Sequence, residues 1–338
     1  VTGCGSGLGR ELALELSCRW GFVVFAGCLD PADCGNLEDE GRERRRRIRA
    51  TNGGSGSGTA AGAEGRIVAL GMDVTSDGEV ARAAGRVGDW LAAGSTRGQP
   101  RRHLHAVVNN AGIGLLGRTD WAGMGPFRAC VEVNYLGMVR VTQALLPLLK
   151  GQATGGTYRH ARIVVVASAA GLIATGDAAP YHGSKYAAEA FGTCLRHEME
   201  PFGIQVATVS PSFHGTRMTD GLGPAVAAAA RDLPEELREE YGDAFVRQMA
   251  GNAADMPRRV MWDAGVAVDA LVGCVTGVRV EPRVVVGTDA RFGVLLLRML
   301  PVGLSDALLF AFAKSRRVRP AAMEGVGGAT TKMKMKAG

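Results

Sequence analysis

The chain is poor in the features that commit a protein to a disulfide scaffold, a metal centre or a membrane span. Its 338 residues include seven cysteines and six histidines. The cysteines are odd in number and scattered, with no Cys-x-x-Cys pair and no Cys/His ligand spacing. That excludes a disulfide framework and a zinc site, so no metal is expected, and it fits a reducing intracellular compartment. The most apolar stretch, Phe292 to Phe312, is interrupted by Arg298, Pro301, Gly303 and Asp306, which argues against a spanning helix. No internal repeat and no long linker divides the chain, so one domain is expected.

What is present is the balance of a globular chain, 46% hydrophobic and 21% charged, with enough length for a real core. The net charge of +6 owes much to Arg42, Arg44, Arg45, Arg46, Arg47 and Arg49. These lie beside a Gly/Ser run at 53–58, and residues 36–64 read as a flexible, solvated insertion. No recognition motif accompanies the arginines, so nucleic acid is not an expected partner. Val1 already falls inside an expected strand without an initiator methionine. The N-terminus is therefore read as incomplete, leaving any targeting segment or anchor out of view and a membrane-associated or mitochondrial location open.

Apolar runs alternate with helical patterns, as in a parallel sheet covered on both faces. Strands are expected at Phe22–Ala26, Ile67–Leu70, His105–Val108, Ile163–Ala167, Gln205–Val209 and Val284–Val286. Leu8, Leu12, Leu16 and Trp20 recur every fourth residue as one buried helix stripe ended by Gly21. The fold class is thus α/β, a Rossmann-like doubly wound parallel sheet over residues 1–315. Helices within 215–263 would cover the substrate, and residues 316–338 form a disordered tail. The apolar segment 292–312 is expected to pack on the domain in preference to contacting a membrane surface.

Two motifs carry chemistry. Gly3, Gly7 and Gly9 open the first helix, where glycine lets the backbone approach a pyrophosphate and the helix N-terminus supplies N–H donors. Asp30, after the next strand, could accept from the ribose 2′-hydroxyl of NAD and repel a 2′-phosphate; as an alternative it simply starts an Asp-Pro turn. With no basic residue at position 6, NAD is favoured over NADP. Asp73 could hold the adenine, and Asn109 to Gly112 would stand beside the nucleotide. The second motif is Tyr181 with Lys185, one helical turn apart, and Ser168 at a strand end. A phenol of pKa about 10 is a poor base at neutral pH. An ammonium on the same helix face is expected to bring it down, while Ser168 holds a substrate oxygen.

Taken together, Thr2-Gly3-x-x-x-Gly7-Leu8-Gly9, Asn109-Asn110-Ala111-Gly112, Asn134, Ser168, Tyr181-x-x-x-Lys185 and Pro211 resemble the short-chain dehydrogenase/reductase family. The stretches Gly21–Leu29, Val131–Asn134 and Cys194–Met199, with Leu233-Pro234-Glu235 and Tyr241-Gly242, resemble its branch of D-3-hydroxybutyrate, retinol and 17β-hydroxysteroid dehydrogenases. The resemblance implies interconversion of an alcohol and a carbonyl by hydride transfer. In it Tyr181 is the general acid/base and Lys185 lowers its pKa and holds the nicotinamide ribose. Ser168 orients the substrate, and Asn134 anchors a relay water. Thr2, Gly3, Gly7, Leu8, Gly9, Ala111, Gly112, Pro211 and Thr216 would border the cofactor, Thr216 at the nicotinamide carboxamide. The family also implies a homo-oligomer.

Two departures stand out. Ser212 follows Pro211 where the family usually has glycine, and residues 151–160 are lengthened. His182 reads as a loop histidine and Cys4 as small-residue filling. Arg217, Arg231, Arg238 and Arg247 could meet a hydroxy-acid carboxylate, whereas Met218, Leu222, Phe245, Val246 and Met249 could line an apolar groove. The apolar tail inclines the reading to a hydrophobic, retinoid- or steroid-like alcohol. A hydroxy acid, or a catalytically silent nucleotide-binding module, is the alternative.

Overall fold

A computed structural model describes residues 1–51, 65–94, 102–153, 160–215, 218, 226, 228–229, 231–259, 262–314 and 321–323. Among the described residues six strands are all parallel: β1 (Val23–Cys28) pairs with β2 (Arg66–Gly71), and β3 (Ala106–Asn109), β4 (Arg162–Val166), β5 (Gln205–Pro211) and β6 (Arg283–Val286) pair in that order in a second group. The two groups are joined through Val1–Cys4. Gly27 N–H donates to Val1 O (2.8 Å), Cys4 N–H to Gly27 O (2.8 Å) and Thr2 N–H to Val108 O (3.0 Å). Thr2 thus bridges β1 and β3, and the strands expected from Phe22 onward are found to within a residue or two at each end, whereas the one expected at Val1 is reduced to a single bridge between Thr2 and Gly27.

Strands buried on both faces read as continuous apolar runs. All five residues of β4, Arg162-Ile-Val-Val-Val, are buried. Helices cover the two faces. On one side α1 (Gly7–Cys18), α2 (Pro31–Thr51) and α9 (Ala264–Thr276) enclose a core with Leu12, Leu14, Val164, Val209 and Leu271; on the other, α3 (Asp77–Ala93), α5 (Gly137–Ala153) and α6 (Ala179–Met199) enclose Val107, Val141, Ile163, Val165 and Leu195. The buried cation Arg162 satisfies the end of α9, donating to the carbonyls of Cys274 (3.1 Å), Val275 (2.8 Å) and Gly277 (2.8 Å), where the helix dipole favours positive charge.

Several sequence expectations need correction. The arginine run is not a flexible insertion over 36–51: it is the second half of α2, docked on α1. Arg10 pairs with Glu40 (2.5 Å), and Arg44 reaches Glu11 (3.2 Å) and Glu15 (3.1 Å). Leu37 and Gly41 are buried against the sheet. Composition suggested a loop because the buried stripe of α2 is narrow. Residues 52–64, most of the 151–160 lengthening, and most of the 316–338 tail lie outside the described residues. Trp20 leaves the stripe of α1, because the helix ends at Cys18 and the ring is half exposed.

The apolar segment also differs. It forms a π-helical turn at Asp289–Val294, then α10 (Leu295–Met299) and α11 (Val302–Lys314). Ala290 and Val294 pack on Leu172 and Ile173, but Phe292 (69%), Leu296 (58%), Met299 (76%) and Phe310 (65%) are exposed. Packing on the domain therefore accounts for little of its apolar surface. No helix of the described residues is long and apolar enough to cross a membrane. The stretch expected to cover the substrate contains α7 (Glu235–Tyr241) and α8 (Asp243–Arg259), whose Tyr241, Phe245 and Met249 recur every fourth residue as a buried cluster with Trp121.

Candidate active site

The carboxyl ends of the parallel strands meet at one crevice, where α/β folds place nucleotides. At the end of β4, Ser168 caps a 3₁₀ turn, its Oγ accepting from Ala170 N–H (3.1 Å) and donating to Pro211 O (3.4 Å) at the end of β5. Gly171 in that turn packs directly on α6. The buried Lys185 donates from Nζ to Val166 O (3.1 Å), and its Nζ lies 5.8 Å from the centre of the Tyr181 ring. Ser168, Tyr181 and Lys185 are therefore brought together, as the spacing predicts.

The electrostatics differ from the expectation. Burial raises the Tyr181 phenol above its usual value, with the Ser168 hydroxyl in hydrogen-bonding reach drawing it part of the way back. The lowering expected from Lys185 does not prevail. Burial also strips the ammonium of water and brings Lys185 down to about 8, against the opposing pull of Cys130 and Glu189. Desolvation disfavours the charged form of both groups and is the largest cause of each shift.

Asn134 is fully buried in a π-helical turn, Glu132–Leu136, between α4 (Gly125–Val131) and α5. Such turns recur at functional sites. Its Oδ1 accepts from Ile113 N–H (2.7 Å), while Nδ2 donates to Ile113 O (2.9 Å) and Ser184 Oγ (2.9 Å). Both amide donors are thus spent tying the loop after β3 to α6, so the side chain retains only acceptor capacity for a water. Gly112 allows the approach: a β-carbon there would stand 3.1 Å from Asn134 Oδ1 and 3.5 Å from Lys185 Nζ.

The cofactor loop is built as its glycines require. Gly3 (φ +70°) and Gly7 (φ +58°) adopt left-handed backbone. A β-carbon at Gly9 would meet Gly3 O and Asn110 Nδ2 at 2.4 Å. Ser6 caps α1 with extended backbone and makes no side-chain cap bond, leaving first-turn N–H groups for an anion. Leu8 packs against the core behind this loop. Thr2 Oγ1 accepts from Asn110 and Ala111 N–H (2.9 Å each), and Asn110 Nδ2 donates back to Thr2 O (2.9 Å) and Gly3 O (3.2 Å). This cradle fits a dinucleotide pyrophosphate.

Other assignments shift. Asn109 points into the core and donates to Thr142 Oγ1 (2.8 Å); Asn110 makes the contacts to the glycine loop. Asp30 Oδ1 accepts from Ala32 N–H (2.8 Å), so it caps α2 in the Asp-Pro turn. The carboxylate that reaches the glycine loop is Asp33, whose Oδ2 would be 2.4 Å from a β-carbon on Gly5. Its position in the first turn of α2 was legible only once the strand-end turn was known. Asp73 Oδ1 accepts from Thr75 N–H and Oγ1 (2.8 Å each). Thr216 lies outside the described residues. His182 lies not in a loop but in the first turn of α6, where it bridges Ala170 O (2.8 Å) and Thr175 (3.3 Å), and Cys4 is buried small-residue filling. Ser212 is pinned: its Oγ donates to Asp289 Oδ2 (2.5 Å), and Trp262 Nε1 donates to Asp289 Oδ1 (2.7 Å).

A family model described as short chain dehydrogenase matches residues 55–227. The chain belongs to the short-chain dehydrogenase family. It is 35% identical over 251 residues to "Retinol dehydrogenase 5" of Mus musculus, covering 73% of this chain and 66% of that one. It is 33% identical over 247 residues to "D-beta-hydroxybutyrate dehydrogenase, mitochondrial" of Bos taurus, covering 72% and 62%. Against "17-beta-hydroxysteroid dehydrogenase type 6" of Bos taurus it is 30% identical over 312 residues, covering 91% and 86%. The chain thus matches just under two thirds of the length of the first two. A short-chain dehydrogenase/reductase from Burkholderia phymatum, solved with NAD, shares the fold at a TM-score of 0.62 and 21% identity, covering 90% of this chain and 93% of that one.

Proposed function

We propose that this short-chain dehydrogenase interconverts a hydrophobic alcohol and its carbonyl with NAD, and that Tyr181 carries the proton. The observation that carries the reading is the convergence of Ser168, Tyr181 and Lys185 on the crevice that the glycine loop opens. NAD bound there supplies the chemistry of hydride acceptance in oxidation and donation in reduction. The Ser168 and Tyr181 hydroxyls hold the substrate oxygen against the cofactor. In oxidation Tyr181, as phenolate, takes the hydroxyl proton while the carbinol carbon loses hydride; in reduction the phenol returns it. Lys185 stabilises the phenolate and offers its ammonium to the nicotinamide ribose. Asn134 fixes the loop and helix that frame the site and can accept from a relay water. Thr2, Gly3, Gly7, Leu8, Gly9, Asn110, Ala111 and Gly112 form the nucleotide cradle, with Asp73 assigned to the adenine, Pro211 to the nicotinamide and, by the family resemblance alone, Thr216 to its carboxamide.

Asp33, against Gly5, supports NAD over NADP, since a carboxylate beside the ribose repels a 2′-phosphate. The cover supports an apolar substrate: Tyr241, Phe245 and Met249 face inward, whereas Arg231, Arg238 and Arg247 are exposed. Assay of NAD reduction with retinol, oestradiol and D-3-hydroxybutyrate in parallel tests this. Activity confined to the hydroxy acid would overturn the substrate assignment.

We also propose that the exposed apolar residues of 292–310, flanked by the exposed Arg291 and Arg298, rest on a lipid surface. Co-sedimentation with phosphatidylcholine vesicles should be lost in a Phe292→Asp/Leu296→Asp variant. A homo-oligomer follows from the family's habit, and light scattering of the purified chain tests it.

A further inference from the structure

Arg118 lies outside the catalytic motifs, yet three segments around the crevice converge on its side chain. Its Nη1 pairs with Asp177 (2.8 Å), four residues before Tyr181, and the neighbouring Gly117 N–H donates to Asp177 O (2.9 Å). Its Nη2 donates to Tyr241 Oη (3.3 Å), which itself donates to Asp120 (2.5 Å). The guanidinium also stands over Trp121, Tyr241 and Phe245, at 5.7, 5.0 and 5.6 Å from the ring centres. Tyr241 and Phe245 belong to the cover. Asp177 is the one non-glycine residue with positive φ among those described, at 71°. A backbone held in that region is disfavoured and persists where its surroundings over-determine it. Here the constraint is an ion pair whose partner is already committed to the cover.

We infer that Arg118 is a positioning residue that latches the cover helices α7 and α8 to the start of the catalytic helix through Asp177, and so sets the apolar wall against which the substrate lies. The inference rests on the proposed reading of Tyr181 and of the cover. Its chemistry is specific. The guanidinium sits among the rings of Trp121, Tyr241 and Phe245, which stand edge-on or tilted to one another, and it divides its two Nη donors between Asp177 and Tyr241, so arginine serves where lysine would not. Its Nη1 and Nη2 are taken by Asp177 and Tyr241, and Asp120 stands 3.7 Å from the buried Nε, so the guanidinium serves the wall and not a substrate carboxylate.

The test exploits the strain. Asp177→Gly removes the carboxylate and accepts the left-handed backbone at no steric cost. It should leave the melting temperature unchanged or raised, yet increase KM for an apolar alcohol about tenfold. Amide hydrogen exchange across 235–249 should quicken by a similar factor. Arg118→Met should match it in KM and exchange, and Arg118→Lys should restore little. Wild-type KM and exchange in Asp177→Gly would overturn the latch, as would losses that follow the melting temperature. Should Arg118→Met not fold, Asp177→Gly alone decides. Exchange is read without turnover, so an inactive wild type would refute the proposed function while the exchange comparison still judged the latch.

Discussion

Gly171 packs so closely on the backbone of Lys185 that a β-carbon would stand 2.5 Å from the Lys185 carbonyl oxygen and 3.0 Å from Glu189 Cγ. Backbone against backbone, with no flexible side chain to yield, this contact sets the distance between the Ser168 turn and the catalytic helix. Gly171→Ala must push the turn away. The expected outcome is a fall in kcat of about 10²-fold from misplacement of Ser168. Cofactor affinity should be nearly unchanged, and the stability loss about 1–3 kcal/mol. Steady-state kinetics with a thermal melt checks it; wild-type kcat would refute the contact's role.

The two carboxylates near the ribose end separate by substitution. Asp33→Ala should narrow the preference for NAD over NADP, measured as the ratio of kcat/KM values. Asp30→Ala should leave that ratio alone and cost about 0.5–2 kcal/mol of stability, the worth of a helix cap. The reverse pattern would return the ribose to Asp30.

Lys185 carries a pH signature. Its native pKa of about 8 lies below its ordinary value of 10.5, so between those values the unfolded chain binds more protons. Its contribution to stability therefore increases as pH climbs through that window, and below about pH 8 the cost of burying the ammonium is present in full. Urea titrations from about pH 7 to about pH 10 should show wild type gaining on Lys185→Met as pH rises. A constant difference would mean that Lys185 is not desolvated.

Ser212 and Asp289 answer the departure from glycine after Pro211. The hydroxyl, Asp289 and the Trp262 indole hold the turn in place, and Gly287 leaves them room, for its β-carbon would lie 2.9 Å from Ser212 Cβ and 2.6 Å from Asp289 Oδ1. Ser212→Ala and Asp289→Ala should each weaken NADH binding about fivefold, and the double variant no more than either. Fluorescence titration reads this directly; multiplying effects would show two independent roles.

The strands and the Ser168–Tyr181–Lys185 spacing were legible in the sequence because both follow from local periodicity: strand runs of apolar residues, and one helix turn between tyrosine and lysine. What was not legible depended on long-range contacts. Asn110 and not Asn109 meets Thr2, because the chain turns at the end of β3 and reverses which side chain faces the glycine loop. Asp33, not Asp30, stands against the glycine loop because α2 starts at Pro31 and turns Asp33 back toward Gly5. The arginine run hid a helix, since the partners of Arg44, Glu11 and Glu15, lie on α1 and those of Arg42, Glu38 and Asp39, in α2's own first half. The raised phenol of Tyr181 came from burial, which motif spacing does not encode.

The central claim is that Tyr181 moves the proton, and Tyr181→Phe tests it most directly because the change removes one oxygen and keeps the ring. With the preferred alcohol and NAD, turnover should fall by about 10²–10⁴-fold while NADH titrates with a Kd near that of wild type. Turnover within a few-fold of wild type, with the cofactor bound as before, would contradict the account.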